Sequence, residues 1–125
     1  MVELDMSVPF TAARARNAGI ARARDCDPDL EFIQFLDGDC ILDPDWIDVA
    51  HRALLAEPEL AVVCGRRRER FPEATRWNRM IDAEWDTPVG VALACGGDAL
   101  IRDKALADVG GYPDGIIAGE EPEMC

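Results

Sequence analysis

Asp37 and Asp39 stand one residue apart at the close of an apolar run, in the order Phe35-Leu36-Asp37-Gly38-Asp39-Cys40. Two hard carboxylates so spaced are suited to Mg²⁺ or Mn²⁺, ions that take one or two protein acids and complete their shell with water and phosphate oxygens. The preceding segment, Glu31 to Leu36, reads as a short strand that is apolar on both faces, as in the centre of an α/β sheet. Ligands of open α/β sheets bind at the carboxyl ends of strands, and the acidic pair falls there. Gly38 between the acids removes side-chain bulk and lets a diphosphate approach the backbone. An acidic turn that is simply solvated is the competing reading of the same residues.

The elements needed to position that pair can be followed along the chain. Thr11 is placed to cap a helix over 12–24, with Ala13, Asn17, Ile20 and Ala21 on one face. An Asn on an apolar face is either satisfied by neighbouring backbone or aimed at a ligand. After the acidic pair, Asp43 is expected as N-cap and Pro44 as first residue of a helix that carries Ile47, Ala50 and Leu54 to the core and ends before Pro58. Asp43 and Asp45 are therefore read as capping residues rather than metal ligands, and the spacing does not fit a calcium EF-hand loop. His51 is read as a surface or boundary residue. Leu60 to Cys64 forms a second buried strand. Phe71-Pro72 interrupts the chain before a helix over 74–85, whose Trp77, Ile81 and Trp85 share a face and are read as core, with a tryptophan lining a sugar pocket as the alternative. Gly96-Gly97 leads into a third strand through Arg102 and implies special backbone angles or close approach to a ligand. Asp103 is expected to cap a short helix stopping at Gly110-Gly111, and Glu121 to cap another that opens at Pro122.

With 125 residues, 49% hydrophobic and 30% charged, the chain suits one globular α/β domain. Its formal charge of −12 argues against general nucleic-acid binding, which needs a positive field over the phosphates. Basic residues concentrate at Arg14/Arg16/Arg22/Arg24 and at Arg66-Arg67-Arg68-Glu69-Arg70, either as solvated surface or facing an anionic ligand. Cysteines are odd in number, widely spaced and without a C-x-x-C pair, so they read as reduced, small, buried side chains. No apolar run reaches the length of a membrane span or signal-peptide core, and a cytoplasmic location is expected by default.

The segments RARNAGIARA, FIQFLDGDCILDPDWI, CGGDALIRDKALADVGGY and AGEEPEMC, in that order, resemble the inverting family 2 glycosyltransferases of the GT-A fold, which build bacterial surface polysaccharides and glycolipids. The resemblance implies an α/β GT-A fold, a mixed sheet flanked by helices and incomplete at both ends. Residues 1–125 would then be a partial domain without the N-terminal nucleotide-binding strand and the C-terminal acceptor part. It implies a nucleotide-sugar donor, a saccharide or lipid-linked acceptor, a divalent cation (Mn²⁺ or Mg²⁺), no nucleic-acid partner, and room for peripheral association of the parent enzyme with the inner face of the membrane. Asp37 and Asp39 match the family's D-x-D element, the first near the donor ribose or the metal and the second on the metal. Arg16 and Asn17 match its Arg-Asn step near the nucleotide, and Gly96, Gly97 and Asp98 the segment lining the donor-sugar and acceptor side. Glu120-Glu121 matches its Glu-Asp element, whose second acid is the general base; here that residue is Glu121, with Glu120 as the alternative. A sugar nucleotidyltransferase of the same fold would need a glycine-rich basic phosphate loop near the start, which is missing. A non-catalytic GT-A remnant or binding module is the rival from a different class.

Overall fold

The computed structural model describes residues 1–92, 94–95 and 97–113. Helices and strands alternate as α1 (Ala12–Cys26), β1 (Phe32–Gln34), α2 (Trp46–Ala56), β2 (Val62–Cys64), α3 (Arg76–Glu84), β3 (Ala99–Arg102) and α4 (Asp103–Val109). The expected α/β class holds. The sheet has the order β1-β3-β2 and both pairings are antiparallel. Its centre is therefore β3, and β1 pairs on one side only among the described residues, although its sequence reads as a central strand.

Side-chain alternation along β3 divides the interior in two. Ala99 and Ile101 face α1 and α4, joining Ala13, Ile20, Phe35, Cys95, Leu106 and Tyr112 in one buried cluster. Leu100 faces the other way, against Ala50 and Leu54 of α2, with Phe32, Trp46, Leu60 and Val63 packed around them. Three layers result, with β3 as the element both halves share.

Local chemistry explains the element ends. α1 is rich in Ala and Arg, good helix formers, and the Thr11 hydroxyl accepts from the Arg14 N–H at 3.1 Å as expected of an N-cap. α2 starts later than its sequence suggests. The Asp43 carboxylate accepts from the Asp45 N–H at 3.0 Å and the Asp43 carbonyl from the Trp46 N–H at 3.0 Å, so Asp43-Pro44 closes a turn and Asp45 becomes the N-cap. The far end of α2 is closed by Arg102 of β3, whose guanidinium donates to the carbonyls of Leu54 and, at 2.8 Å, Leu60. Cationic donors suit the carbonyl end of a helix. α4 ends in left-handed glycines, Gly110 and Gly111 both at φ 80°.

Several expectations are corrected here. Ile47 (42% exposed) and Ala21 lie outside the core. Trp77 is 56% exposed and α3 buries no residue, so its tryptophan face is not a core face. Asp103 makes no cap hydrogen bond, because its carboxylate takes the Arg24 Nε–H at 2.8 Å and ties α1 to α4. Of the cysteines, Cys95 is buried but Cys26 is exposed. No helix among the described residues is long and apolar enough to cross a membrane.

Candidate functional site

Antiparallel pairing assembles the site. Gln34 lies opposite Leu100 and the ladder continues past β1, since the Phe35 N–H donates to the Ala99 carbonyl at 2.9 Å. Carried onward, the same register sets Asp37 against Gly97. On the other side Cys64 lies opposite Ala99, which brings Gly65 and the following arginines alongside Asp98. The N-terminal end of β3 thus sits between the C-terminal ends of β1 and β2, and residues remote in sequence meet at one end of the sheet.

Asp37 is the best-fixed acid of this group. Arg16 reaches it from α1 at 3.1 Å, and the Arg16 side chain is only 15% exposed, so the pair is shielded on one side. The Arg16 guanidinium also lies over the Tyr112 ring at 5.1 Å, and that buried ring meets Phe35 edge-to-face at 5.3 Å. Glycine at 97 makes room for Asp37, since an added Cβ would stand 2.6 Å from its carboxylate carbon unless that side chain moved. The close approach inferred from the Gly-Gly pair is therefore made to Asp37 by the chain itself. A Cβ at Gly38 would meet open space, so the fold does not demand glycine between the acids.

Asp39 differs from Asp37. It is exposed, on a turn closed by the Cys40 N–H donating to the Asp37 carbonyl at 3.0 Å, and it has no basic partner among the described residues. Cys40 records the local field. Burial first, then the charges of Asp39, Asp37 and Asp98, push its thiol above its ordinary value, so it stays protonated and is no thiolate nucleophile. Asp37 and Asp39 are the acids here that could serve a cation, in the manner of an ion taking one or two carboxylates and completing its shell with water and phosphate; among the described residues no group of three or more His, Cys, Asp or Glu side chains could hold a metal ion.

Asn17 bonds to the backbone of Tyr112. Its amide donates to the Tyr112 carbonyl at 2.7 Å and accepts from the Tyr112 N–H at 2.9 Å, so it clamps the chain after α4 onto α1. The N-terminal arginines are mostly absorbed by the fold as well. Arg14 donates to the carbonyls of Asp5, Val8 and Pro9, Arg16 holds Asp37, Arg24 holds Asp103, and Arg22 alone of the four is exposed.

Asp98 stands at the mouth of a cleft of about 480 Å³ that Gly65, Arg67 and Trp85 also line. Burial pushes its carboxyl above the usual value; Arg67 opposes this and Asp37 adds to it. Arg67 approaches Asp98 at 3.6 Å and lies over the Trp85 ring at 5.3 Å. Its neighbours Arg66 and Arg68 instead pair with Asp86 at 3.0 Å and Asp82 at 2.8 Å. Sequence reading left Arg67 undistinguished in a basic run, and Tyr112 unmentioned. Arg67 could be singled out only from the register of β2 against β3. Gly96, Glu120 and Glu121 lie outside the described residues.

A small α/β domain with an acidic turn at a strand end, beside a cleft, defines a fold class and a place for a ligand rather than one chemistry. The family is decided by comparison. The family model for glycosyl transferase family 2 matches residues 6–110, most of the chain, and the chain belongs to that family. Glycosyl transfer, with binding of a nucleotide-sugar and an acceptor, is thus its general setting, and the GT-A type of fold follows from the same membership. No curated protein and no solved structure gives a match.

Proposed function

We propose that this chain provides the donor-binding part of an inverting glycosyltransferase that moves a sugar from a nucleotide-sugar to a hydroxyl of a saccharide or lipid-linked acceptor in bacterial polysaccharide or glycolipid synthesis. The observation that carries the reading is the convergence of Asp37, Asp39 and Asp98 with Arg16 and Arg67 at one end of the sheet, beside the cleft.

Each residue receives a role. Asp39, exposed and without a basic partner among the described residues, is the principal ligand for Mn²⁺ or Mg²⁺; Asp37, already neutralised by Arg16, supports it from the nucleotide side. When bound, the cation neutralises the nucleoside diphosphate that leaves. Arg16 contributes positive charge on the same side, and Asn17 keeps α1 in the position from which Arg16 reaches. Gly97 leaves room for the Asp37 carboxylate, Gly96 is assigned with it to the donor-sugar side, and Asp98 faces the sugar with an acceptor carboxylate. Glu121 takes the proton from the attacking hydroxyl, with Glu120 as its neighbour of secondary importance.

Hydrolysis of UDP-, GDP- and TDP-sugars by the full-length enzyme in the presence of Mn²⁺ tests this directly. Glu121→Gln is expected to lower turnover by roughly 100-fold, the scale of a lost general base, while donor affinity stays within a few-fold. Loss of turnover in Glu120→Gln with turnover retained in Glu121→Gln would move the base by one residue; no effect from either would refute the mechanism.

A further inference from the structure

The run Arg66-Arg67-Arg68 follows β2, and its three side chains divide their partners. Arg66 pairs with Asp86, two residues beyond α3, at 3.0 Å, and Arg68 with Asp82 of α3 at 2.8 Å; Arg68 holds Asp82 through two hydrogen bonds of 2.8 and 2.9 Å. Arg67 is left on the cleft side. Its guanidinium lies over Trp85 at 5.3 Å, and its Nε stands 3.6 Å from Asp98, beyond hydrogen-bond range. The Arg67 side chain is 38% exposed and that of Asp98 15%.

We propose that Arg67 is a specificity-determining residue of this enzyme: with Asp98 it forms a donor–acceptor pair for a hydroxyl of the transferred sugar, and Trp85 is the positioning residue that aims it. This rests on the glycosyltransferase reading above. A sugar hydroxyl both accepts and donates, so one oxygen can take an N–H from Arg67 and give its proton to the Asp98 carboxylate. Both partners are charged, and hydrogen bonds to charged groups are about twice as strong as neutral ones. At 3.6 Å Arg67 and Asp98 form an ion pair without a hydrogen bond, and one hydroxyl oxygen can bridge the two groups from the side. Trp85 does not act as a bare stacking platform, because Arg67 already covers its ring; a planar cation held against an aromatic face loses little further freedom on binding. Burial pushes the Asp98 carboxyl above its ordinary value, and Arg67 is the first group that opposes this.

Calorimetric titration with UDP, GDP and TDP, and with their sugar conjugates, in Mn²⁺, separates the sugar's share of affinity from the nucleotide's. For the nucleotide that binds, the conjugate should bind about tenfold more tightly than the bare diphosphate, about 1.4 kcal/mol. Arg67→Gln should abolish that increment and leave affinity for the bare diphosphate within twofold. Arg67→Lys, which keeps the charge but loses the planar fork, should keep only part of it. Trp85→Phe should retain the increment and Trp85→Leu lose most of it, with circular dichroism confirming that each variant is folded. An increment unchanged in both Arg67→Gln and Trp85→Leu overturns this inference and leaves the glycosyltransferase reading intact. If the wild type binds diphosphate but shows no increment with any conjugate, the sugar assignment fails. If it binds no nucleotide at all, the glycosyltransferase reading fails and the inference falls with it.

Discussion

The two flanks of the site are built differently. On the β1 side, Asp37 is fixed by Arg16, seated over Gly97 and backed by buried Tyr112 and Phe35, so the acidic turn grows out of the main core. On the β2 side, Arg67 depends on α3, which buries nothing and is held by Arg66–Asp86, Arg68–Asp82 and Trp85 under Arg67. Core packing resists salt and acid, whereas exposed ion pairs weaken in both. The β1 flank should therefore behave as a rigid anchor and the β2 flank as an adjustable wall.

The sharpest way to break the anchor is through its clamp. Asn17→Ala leaves the Tyr112 N–H and carbonyl without their partner and should cost about 2 kcal/mol in a denaturant melt. Arg24→Ala removes only a half-exposed ion pair with Asp103 and should cost about 1 kcal/mol or less. Equal costs would show that the anchor does not run through Asn17.

Gly97→Ala attacks the same flank at the acid. The added methyl would crowd the Asp37 carboxylate, whose side chain is exposed enough to swing aside. Stability should fall by about 1 kcal/mol, while affinity for a nucleoside diphosphate in Mn²⁺ falls about tenfold through the lost Asp37–Arg16 geometry. Unchanged affinity would separate Asp37 from nucleotide binding.

The adjustable wall yields a smaller, pH-dependent effect. Hydrogen bonds from Arg68 and the Glu69 N–H hold the Asp82 carboxyl down at about 2, against an ordinary 3.8. Because its folded value is depressed, Asp82 contributes stability above the ordinary value and loses it as pH falls toward about 2. The stability difference between wild type and Asp82→Asn, read by tryptophan fluorescence, should be present at neutral pH and shrink across that window. A difference constant with pH would remove Asp82 from the account of α3.

What was legible in the sequence follows the same division. Thr11 as cap, the strand before Asp37 and the Gly110 stop were readable because each rests on local spacing. The fate of α3 was not, since Trp77, Ile81 and Trp85 carry a helical core pattern whatever lies opposite, and here the opposing surface is a row of ion pairs. Asp43 and Asp103 misled for a related reason. Both have the chemistry of a cap, but Asp43 serves a turn and Asp103 was taken by Arg24, a partner 79 positions away in sequence. For Asn17 the backbone partner that the sequence left unnamed is Tyr112, 95 positions away. Arg67 needed the β2–β3 register, which spacing alone does not contain.

The central claim is that the exposed acid of the pair, Asp39, anchors the diphosphate through a divalent cation. Isothermal titration of the polypeptide with UDP, GDP and TDP, with and without Mn²⁺, tests it in wild type and Asp39→Ala. Mn²⁺ should strengthen binding of at least one diphosphate by tenfold or more in the wild type, about 1.4 kcal/mol, and that enhancement should vanish in Asp39→Ala while the melting temperature hardly moves. An Asp39→Ala protein that keeps the full Mn²⁺-dependent enhancement would contradict the claim.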